Sequence, residues 1–261
     1  MNIKVIFLDI DDTFYDHSHS IFPASAIKGL NMAANEGIRI VIASGRNIAL
    51  IKEIGADARL PVSAYIAANG AMVHDKTGKL LFDHAFKQED MDYIFQECAK
   101  HNIGIQYINQ EVNYCTIPLN EHIKKSCDDF KIPYPKYRPY QGERICQLFL
   151  FADNDEEAEM AYAFKFFTLH RFHPFCVDVF DADNNKGTAV RKYLEIEGIS
   201  PNEAMAFGDA NNDIQMLESV KYSVAMGNAT DELKAVASYV TTPVYDNGIY
   251  NALVHFGIIK E

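Results

Sequence analysis

Short apolar runs alternate with amphipathic segments in the first third of the chain. Two of these runs, Ile3–Leu8 and Ile38–Ala43, are mostly apolar and predict strands that are buried on both faces. Apolar side chains recur at helical spacing after Pro23, which predicts a helix between the two strands that ends near Gly37. A further apolar run, Tyr65–Ala68, predicts a third strand.

The same alternation returns in the last third of the chain. The segment 186–197 has helical periodicity and stops at Gly198, and the runs Ala204–Phe207 and Tyr222–Met226 predict two more buried strands. Strands that alternate with helices favour right-handed βαβ units and a parallel sheet. The predicted fold class is therefore α/β, with a doubly wound parallel sheet core that is covered by helices.

The middle of the chain, residues 84–183, has a different pattern. Helical patterns at 88–101 and 155–168 separate segments that can pair as antiparallel strands. These segments are Ile103–Ile108, Val112–Ile117, Ile145–Phe151 and Cys176–Phe180. We therefore predict two domains, a core formed by 1–83 and 184–261 and an inserted α+β domain formed by 84–183.

Composition and charge narrow the range of partners. The chain has 24 Lys and Arg against 36 Asp and Glu, a formal net charge of −12, which argues against binding to nucleic acid or to an anionic membrane surface. No apolar run approaches the ~18 residues of a membrane span, and the run that ends at Leu8 is too short for a signal peptide. Five cysteines without CxxC spacing favour reduced thiols. A cytoplasmic location is expected, and the oligomeric state stays open.

Polar residues follow the predicted strands, where ligands bind in parallel α/β sheets. Residues two apart in an extended segment face the same side, so Asp9 and Asp11 face one site, and their like charges are unfavourable unless a cation intervenes or one carboxyl group is protonated. The remaining polar residues at strand ends and helix starts are Ser44, Gly45, Arg46, Asn69, Gly70, Lys186, Asp209, Asn212 and Asp213. Carboxylates, a lysine, a hydroxyl and amides together predict a site for Mg²⁺ and a phosphate group.

Four segments of the chain, VIFLDIDDT, VIASGR, NNKG and FGDANND, resemble in order and spacing the four motifs of the haloacid dehalogenase-like (HAD) hydrolases. YIAANGA, VAMGNA and DNGIYNAL are similar to the Cof-type sugar-phosphatase branch, which carries an α+β cap where this chain has 84–183. Two residues depart from the pattern: Asp12 stands where the family commonly has Gly, and Ser44 replaces the commoner Thr. Ser44 keeps the hydroxyl, and Asp12 is tolerated if its side chain points away from the phosphate.

The resemblance implies a role for each candidate residue. Asp9 would attack phosphorus and form an aspartyl-phosphate, and Asp11 would protonate the leaving oxygen and then deprotonate the hydrolytic water. Mg²⁺ would be held by the carboxylates of Asp9 and Asp209 and by the backbone carbonyl of Asp11. The phosphate would be bound by the Ser44 hydroxyl, the Gly45 N–H, the Lys186 ammonium and the Asn212 amide. Asp213 would orient Lys186 or a metal-bound water, and Arg46 is a candidate substrate contact.

The function expected from the resemblance is Mg²⁺-dependent hydrolysis of small phosphorylated metabolites, with sugar (hexose) phosphates as the first choice. The cap would exclude water and supply specificity, but its residues carry no motif that names the preferred ester. A sugar-phosphate mutase of the same superfamily is one alternative, and it would require activation by a bisphosphate. A phospho-accepting receiver-type signalling module is another, but it needs only ~120 residues and has no use for the insert. A metal-binding glycosyltransferase would need a nucleotide pocket.

Overall fold

The computed structural model describes residues 2–108, 113–130, 132–181 and 183–260. The chain forms two compact units, which we call the core unit (1–83 with 184–261) and the insert unit (84–183). None of the described helices is both long enough and apolar enough to cross a membrane.

The strands and helices fall along the chain as follows. The strands are β1 (Val5–Leu8), β2 (Arg39–Ala43), β3 (Val62–Ala67), β4 (Met72–Asp75), β5 (Leu80–Asp83), β6 (Gly104–Ile108), β7 (Asn113–Cys115), β8 (Lys136–Tyr137), β9 (Gln147–Phe151), β10 (Phe167–His173), β11 (Cys176–Asp181), β12 (Ala204–Gly208), β13 (Tyr222–Ala225) and β14 (Tyr239–Val240). The helices are α1 (Ala24–Asn35), α2 (Ile48–Asp57), α3 (Gln88–Lys100), α4 (Glu121–Phe130), α5 (Asn154–Met160), α6 (Lys186–Glu197), α7 (Ile214–Glu218), α8 (Asp231–Val236) and α9 (Gly248–His255).

The core unit is built on one sheet with the strand order β14-β13-β12-β1-β2-β3-β4-β5. The strands from β14 to β3 are parallel, and β1 lies between β12 and β2 with Leu8 opposite both Phe207 and Ile42. Every residue of β1 is buried, as expected for a strand with helices on both faces. The predicted α/β class with a parallel sheet is confirmed for this part of the chain.

A hairpin of β4 and β5 extends the parallel part of the sheet in antiparallel fashion. The apolar pattern does not predict it, because the strands are short and β5 is only half-buried. The turn between them is held by contacts among its own residues. Asp75 Oδ1 accepts hydrogen bonds from the N–H groups of Thr77 and Lys79, and Gly78 adopts φ +94°. The Asp-Lys-Thr-Gly sequence was therefore the available signal for a turn.

The two predicted helices of the core unit each end next to a glycine in the left-handed conformation. α1 stops before Gly37, which has φ +85°, and α6 stops at Gly198, which has φ +63°. At its other end α6 is capped by Asn185, whose Oδ1 accepts the N–H of Thr188 at 2.9 Å. This cap fixes the start of α6, and with it the position of Lys186 as the first helical residue.

The insert unit contains a second sheet with the order β10-β11-β9-β6-β7-β8, antiparallel except for the pair β7 and β8. The predicted helix at 88–101 is confirmed as α3, but the predicted helix at 155–168 is wrong beyond Met160. Its first half is α5, which begins at a capping box of Asp153 and Glu156, whereas its last residues start β10 at Phe167. Of the apolar side chains near 164–168, Phe164 and Phe166 therefore lie in a turn and Phe167 lies in a strand, and none lies in a helix.

Two further differences concern α4 and β7. α4 was not predicted, although Ile123 and Cys127 are buried at the i, i+4 spacing of one helix face. The predicted strand Val112–Ile117 corresponds to the shorter β7, and Val112 lies outside the described residues. The two ends of the insert unit lie side by side, because His84 Nε2 is 3.5 Å from Asp181 Oδ2.

Gly187 is where α6 approaches α7 most closely. A Cβ added there would lie 2.2 Å from the backbone oxygen of Gln215, a distance at which no side chain fits. Only glycine therefore allows the first turn of α6 to pack against the segment that follows β12.

Replacing Gly187 with alanine is expected to destabilise the protein, although the same change in an ordinary helix stabilises it by about 1 kcal/mol. The added methyl group forces α6 away from α7, and we expect the free energy of unfolding to fall by about 1–3 kcal/mol. Urea denaturation measures the change. Gly198→Ala is the control: nothing lies within 4 Å of that position, so only the left-handed backbone cost of about 1–2 kcal/mol is expected. An unchanged or raised stability of Gly187→Ala would contradict the close packing.

Candidate active site

Asp9 and Asp209 are brought together by the pairing of two neighbouring strands. Asp9 directly follows β1 and Asp209 directly follows β12, and the Asp9 N–H donates to the carbonyl of Phe207 at 3.1 Å. Because parallel strands end at the same edge of the sheet, both carboxylates lie at that edge, although they are 200 residues apart in number. Thr13 donates its hydroxyl to Asp209 Oδ1 at 2.9 Å and links the loop after β1 to β12.

Lys186 is a fully buried cation between two carboxylates. Its Nζ lies 2.5 Å from Asp9 Oδ1 and 2.6 Å from Asp213 Oδ1, and the Lys186 and Asp213 side chains have no exposed surface. Burial alone would lower the pKa of a lysine, but the two carboxylates outweigh it and raise the pKa of Lys186. The ammonium group is therefore charged, and one oxygen of Asp9 is held by it.

Asp213 uses both carboxylate oxygens inside the protein. Oδ1 accepts from Lys186, and Oδ2 accepts the backbone N–H groups of Asp209 at 3.1 Å and Ala210 at 3.3 Å. Asp213 thus fixes Lys186 and the loop after β12 at the same time. With both oxygens engaged, its carboxylate is better suited to positioning these groups than to holding a metal ion.

The carboxylates of Asp9, Asp209 and Asp213 form a cluster in which one oxygen from each lies within 4.8 Å of the others. Burial and the neighbouring Asp213 carboxylate raise the pKa of Asp9 well above its usual value, and the same two causes raise the pKa of Asp209 to about 7. Burial is the first cause of both shifts, and the three carboxylates outnumber the one ammonium group of Lys186, so a cation bound here would stabilise their ionised forms.

The free oxygens of this cluster fit a divalent cation. In the described part of the chain, one oxygen of Asp9 bonds to Lys186 and one oxygen of Asp209 accepts from Thr13, and no hydrogen bond engages the other oxygen of either residue. Two carboxylate oxygens on adjacent strand ends, in a site with excess negative charge, are a suitable donor set for Mg²⁺, which prefers oxygen ligands and retains several waters.

Asp11 is bound by two cationic or potentially cationic side chains. Arg46 contacts both of its oxygens, with Nη2 2.6 Å from Oδ1 and Nε 3.2 Å from Oδ2, and His17 Nε2 lies 2.7 Å from Oδ1. Burial acts to raise the pKa of Asp11, but the hydrogen bonds from Arg46 and His17 outweigh it and lower the pKa. The carboxylate is therefore held in its ionised form.

Ser44 and Gly45 follow β2, which is the neighbour of β1 in the sheet. The Ser44 side chain is buried, and its Oγ accepts the N–H of Arg46 at 3.2 Å. The next helix, α2, begins at Ile48 and is capped by Asn47, whose side chain accepts the N–H of Leu50. The start of α2 thus lies three positions beyond Gly45 rather than at it.

Asn212 is exposed and is joined to Asn69, a strand-end residue to which the resemblance assigned no role. Its Nδ2 donates to Asn69 Oδ1 at 3.2 Å. The Asn69 amide also packs over Gly45, since a Cβ on Gly45 would lie 2.9 Å from Asn69 Nδ2. Asn69 lies just after β3, in an Asn-Gly pair that marks a turn, so its place among the strand-end residues was predictable but its side-chain contacts were not.

The backbone conformation of Asp12 explains why glycine is common at its position. Asp12 has φ +55°, in the left-handed region that Gly enters freely and Asp tolerates. Its Oδ1 accepts the N–H of His17 at 3.1 Å, and its carbonyl accepts from Asn228 at 2.8 Å. The side chain is used within the loop after β1, and Asp12 replaces Gly without losing the turn.

The structure gathers the predicted residues into two groups. Asp9, Lys186, Asp209 and Asp213 form one connected set, and Asp11 with Arg46 forms a second. No hydrogen bond within the described residues joins these groups directly. The functional candidates to which the resemblance assigned no role are Thr13, His17 and Asn69.

The chain is similar to known hydrolases and phosphatases over almost its whole length. The family model described as haloacid dehalogenase-like hydrolase matches residues 6–253. The chain is 32% identical to "Putative phosphatase YkrA" of Bacillus subtilis (strain 168) over 100% of both chains, and 28% identical to the pyridoxal phosphate phosphatase YbhA of Escherichia coli (strain K12), covering 97% of this chain and 100% of YbhA. The structure of the HAD subclass IIB sugar phosphatase BT4131 matches with a TM-score of 0.80 and 30% identity, over 98% of this chain and 100% of that one.

Replacing Lys186 with methionine is expected to lower the free energy of unfolding near neutral pH by about 3–5 kcal/mol, because it leaves buried carboxylates without their cation. The loss of Lys186 raises the pKa of Asp9 further. The folded variant then binds more protons than the unfolded chain, so its stability rises as pH falls through that raised pKa.

Urea denaturation at about pH 7.5 and about pH 5.5 measures this difference. Lys4→Met is the control, since Lys4 forms an exposed ion pair with Glu203 at 2.8 Å and its loss is expected to change little at either pH. A destabilisation of Lys186→Met that is equal at the two pH values would contradict the electrostatic account.

Proposed function

The chain belongs to the haloacid dehalogenase-like hydrolase family and is a phosphatase, and we propose that it is a Mg²⁺-dependent phosphomonoesterase of small phosphorylated metabolites, with sugar (hexose) phosphates as the first choice. In this proposal residues 1–83 and 184–261 perform the chemistry through an aspartyl-phosphate on Asp9. Residues 84–183 form the inserted cap domain that selects the substrate.

The observation that carries the proposal is the buried Asp9–Lys186–Asp213 arrangement beside Asp209. Asp9 is a carboxylate with one oxygen held by an ammonium group and the other without a hydrogen bond in the described part of the chain. A carboxylate repels a phosphate dianion, so attack on phosphorus requires positive charge at this point. When bound, Mg²⁺ supplies that charge and polarises the phosphoryl group, and Asp9, Asp209 and the Asp11 carbonyl are the groups proposed to hold it.

In the first step, a carboxylate oxygen of Asp9 attacks phosphorus and forms an oxygen–phosphorus bond. The bond from phosphorus to the alcohol oxygen breaks, and its electron pair leaves with that oxygen. Asp11, in its protonated form, donates the proton that the leaving oxygen requires. The alcohol is released and the phosphoryl group stays on Asp9.

In the second step, water attacks the phosphorus of the aspartyl-phosphate. Asp11, now ionised, takes a proton from that water, and the bond between phosphorus and Asp9 breaks. Inorganic phosphate is released, and both carboxyl groups return to the protonation states in which they began. The Ser44 hydroxyl, the Gly45 N–H, Lys186 and Asn212 are proposed to bind the phosphoryl oxygens in both steps.

The contacts of Asp11 favour one of its two proposed roles. Arg46 and His17 lower its pKa, so the ionised form needed by a general base is already stabilised. To act first as an acid, Asp11 must be released from Arg46. An incoming phosphate dianion competes for the guanidinium group and provides a reason for that release.

The proposed substrate class rests on the relatives. BT4131 is named a sugar phosphatase and YbhA a pyridoxal phosphate phosphatase, and both names describe action on a small phosphate ester. The chain has a formal net charge of −12, so an anionic substrate needs a local concentration of positive charge. Lys186, Arg46 and a bound Mg²⁺ would provide it.

We expect phosphate release from hexose phosphates in Mg²⁺, loss of that activity in EDTA, and poor activity in Ca²⁺. The proposed protein ligands supply only three oxygens, whereas Ca²⁺ favours six to eight at longer distance and would misplace Asp9. The assay covers a panel of hexose phosphates, pyridoxal phosphate and an aryl phosphate.

Asp209→Asn should weaken the response to Mg²⁺ in the same assay, whereas Asp231→Asn, at an exposed position on α8, should not. Full turnover after chelation would exclude the proposed metal role. If pyridoxal phosphate is hydrolysed faster than every hexose phosphate, the proposed substrate is wrong but the proposed reaction class stands.

Asp9→Asn and Asp11→Asn are expected to block different steps of the reaction. Asp9→Asn should lose nearly all turnover, because an amide cannot form the acyl phosphate. Asp11→Asn should slow hydrolysis of a sugar phosphate by roughly 10²–10⁴-fold, since the leaving alkoxide needs a proton. An aryl phosphate has a good leaving group, so its first step should survive while the second step lacks its base.

The aspartyl-phosphate should therefore accumulate in Asp11→Asn treated with an aryl phosphate. The measurements are a burst of aryl alcohol and a mass increase of one phosphoryl group on the peptide that contains Asp9. If the substrate binds but neither the burst nor the adduct appears, Asp11 is not the base of the second step.

A further inference from the structure

The turn that follows β3 is held in a conformation that ordinary residues avoid. Ala68, Asn69 and Gly70 all have positive φ, at +51°, +53° and +105°. Left-handed backbone is costly for residues with a Cβ, and such residues persist where the surrounding structure enforces them. Asn tolerates this region better than most residues, which accounts for the residue type but not for the contacts of its side chain.

The backbone of this turn is attached to the loop after β2. The Ala68 N–H donates to the Arg46 carbonyl at 3.0 Å, and the Asn69 N–H donates to the Ser44 carbonyl at 3.1 Å. These two bonds flank Gly45, whose N–H is proposed to bind phosphate. The turn and the phosphate-binding loop are therefore one rigid piece of backbone.

The same turn also contacts the start of α6. A Cβ on Gly70 would lie 2.2 Å from the Asn185 carbonyl oxygen and 2.9 Å from the backbone nitrogen of Lys186. Only a glycine allows this approach. The residue before it, Asn69, is thus placed where the segments that carry Gly45 and Lys186 meet.

The Asn69 side chain also links this turn to the segment that carries Asn212. Its Oδ1 accepts from Asn212 at 3.2 Å, and its amide lies against the Cα of Gly45. Asn212 is exposed, and no other hydrogen bond of its side chain is made within the described residues. Without Asn69 the Asn212 amide would have free rotamers, and their restriction on phosphate binding would cost entropy.

We propose that Asn69 is a positioning residue of the phosphate site, which holds the Asn212 amide and packs on Gly45 so that both are ordered before the phosphate arrives. This inference rests on the proposed function, because it concerns the same phosphate. An alternative explanation is that Asn69 serves only the left-handed turn, in which case any residue that tolerates positive φ would replace it without effect on phosphate binding.

Two substitutions separate these explanations, because both are compatible with positive φ. Asn69→Gly removes the side chain and keeps the turn. Asn69→Asp keeps the shape and still accepts from Asn212, but places a negative charge beside Gly45, where an anion is proposed to bind. We measure the affinity for inorganic phosphate in Mg²⁺ by calorimetry, kcat and KM on an aryl phosphate, and stability in urea.

Asn69→Gly is expected to weaken phosphate binding about three- to tenfold, the effect of one lost hydrogen bond, with stability in urea retained. Asn69→Asp should weaken it further. Asn212→Ala should weaken binding as well, and the double variant Asn69→Gly/Asn212→Ala should lose less affinity than the product of the two single effects, since part of the effect of Asn69 passes through Asn212. A purely structural turn residue would show none of this coupling.

The inference is overturned if Asn69→Gly and Asn69→Asp bind phosphate as the unchanged protein does, or if the effects of Asn69→Gly and Asn212→Ala multiply in full. Either result would leave the proposed function intact when the unchanged protein hydrolyses phosphate esters. If the unchanged protein neither binds inorganic phosphate nor hydrolyses any ester of the panel, the proposed function fails and this inference fails with it.

Discussion

The buried ammonium group of Lys186 is the interaction on which the site at the edge of the core sheet depends. It lies between Asp9 and Asp213, residues that are 177 and 27 positions away in the chain. Removing three charged groups from water is expensive, and the arrangement is stable only because each charge has close partners. Asp213 extends this constraint to the loop after β12 through two backbone N–H groups, and that loop carries Asp209.

Even with Lys186 in place, the cluster is not electrically balanced. The pKa of Asp209 is raised to about 7 by burial and by Asp213, and the same causes raise the pKa of Asp9 well above its usual value. The cluster therefore favours a bound cation, and the hydrolase family to which the chain belongs generally uses Mg²⁺. Asp11 has a different environment, because Arg46 and His17 favour its ionised form. Two aspartates two residues apart therefore have pKa values displaced in opposite directions.

Much of this arrangement could be anticipated from the order of residues. Buried strands such as β1 and β12 are apparent as apolar runs, and parallel pairing brings the polar residues after them together, so Asp9 and Asp209 were predictable as neighbours. The partners of Asp11 were not, since His17 has no helical or strand spacing relative to it. Asn69 was visible as a turn residue, but only the folded backbone shows that its side chain meets Gly45 and Asn212. In the insert unit, the apolar residues after Met160 satisfied a helical pattern, but residues 161–166 form turns and Phe167 begins β10 instead.

The contact between His84 and Asp181 has a consequence for the order of folding. The insert of about 100 residues interrupts the core between β5 and α6, yet its first and last segments lie side by side. Closing a flexible loop of that length costs about 4 kcal/mol of chain entropy by the logarithmic estimate. An insert that folds first replaces the long loop with a short link. In that order of events β12 pairs with β1 across a much shorter effective loop. A variant that destabilises the insert is therefore expected to slow the folding of the core, although no residue of the core is changed.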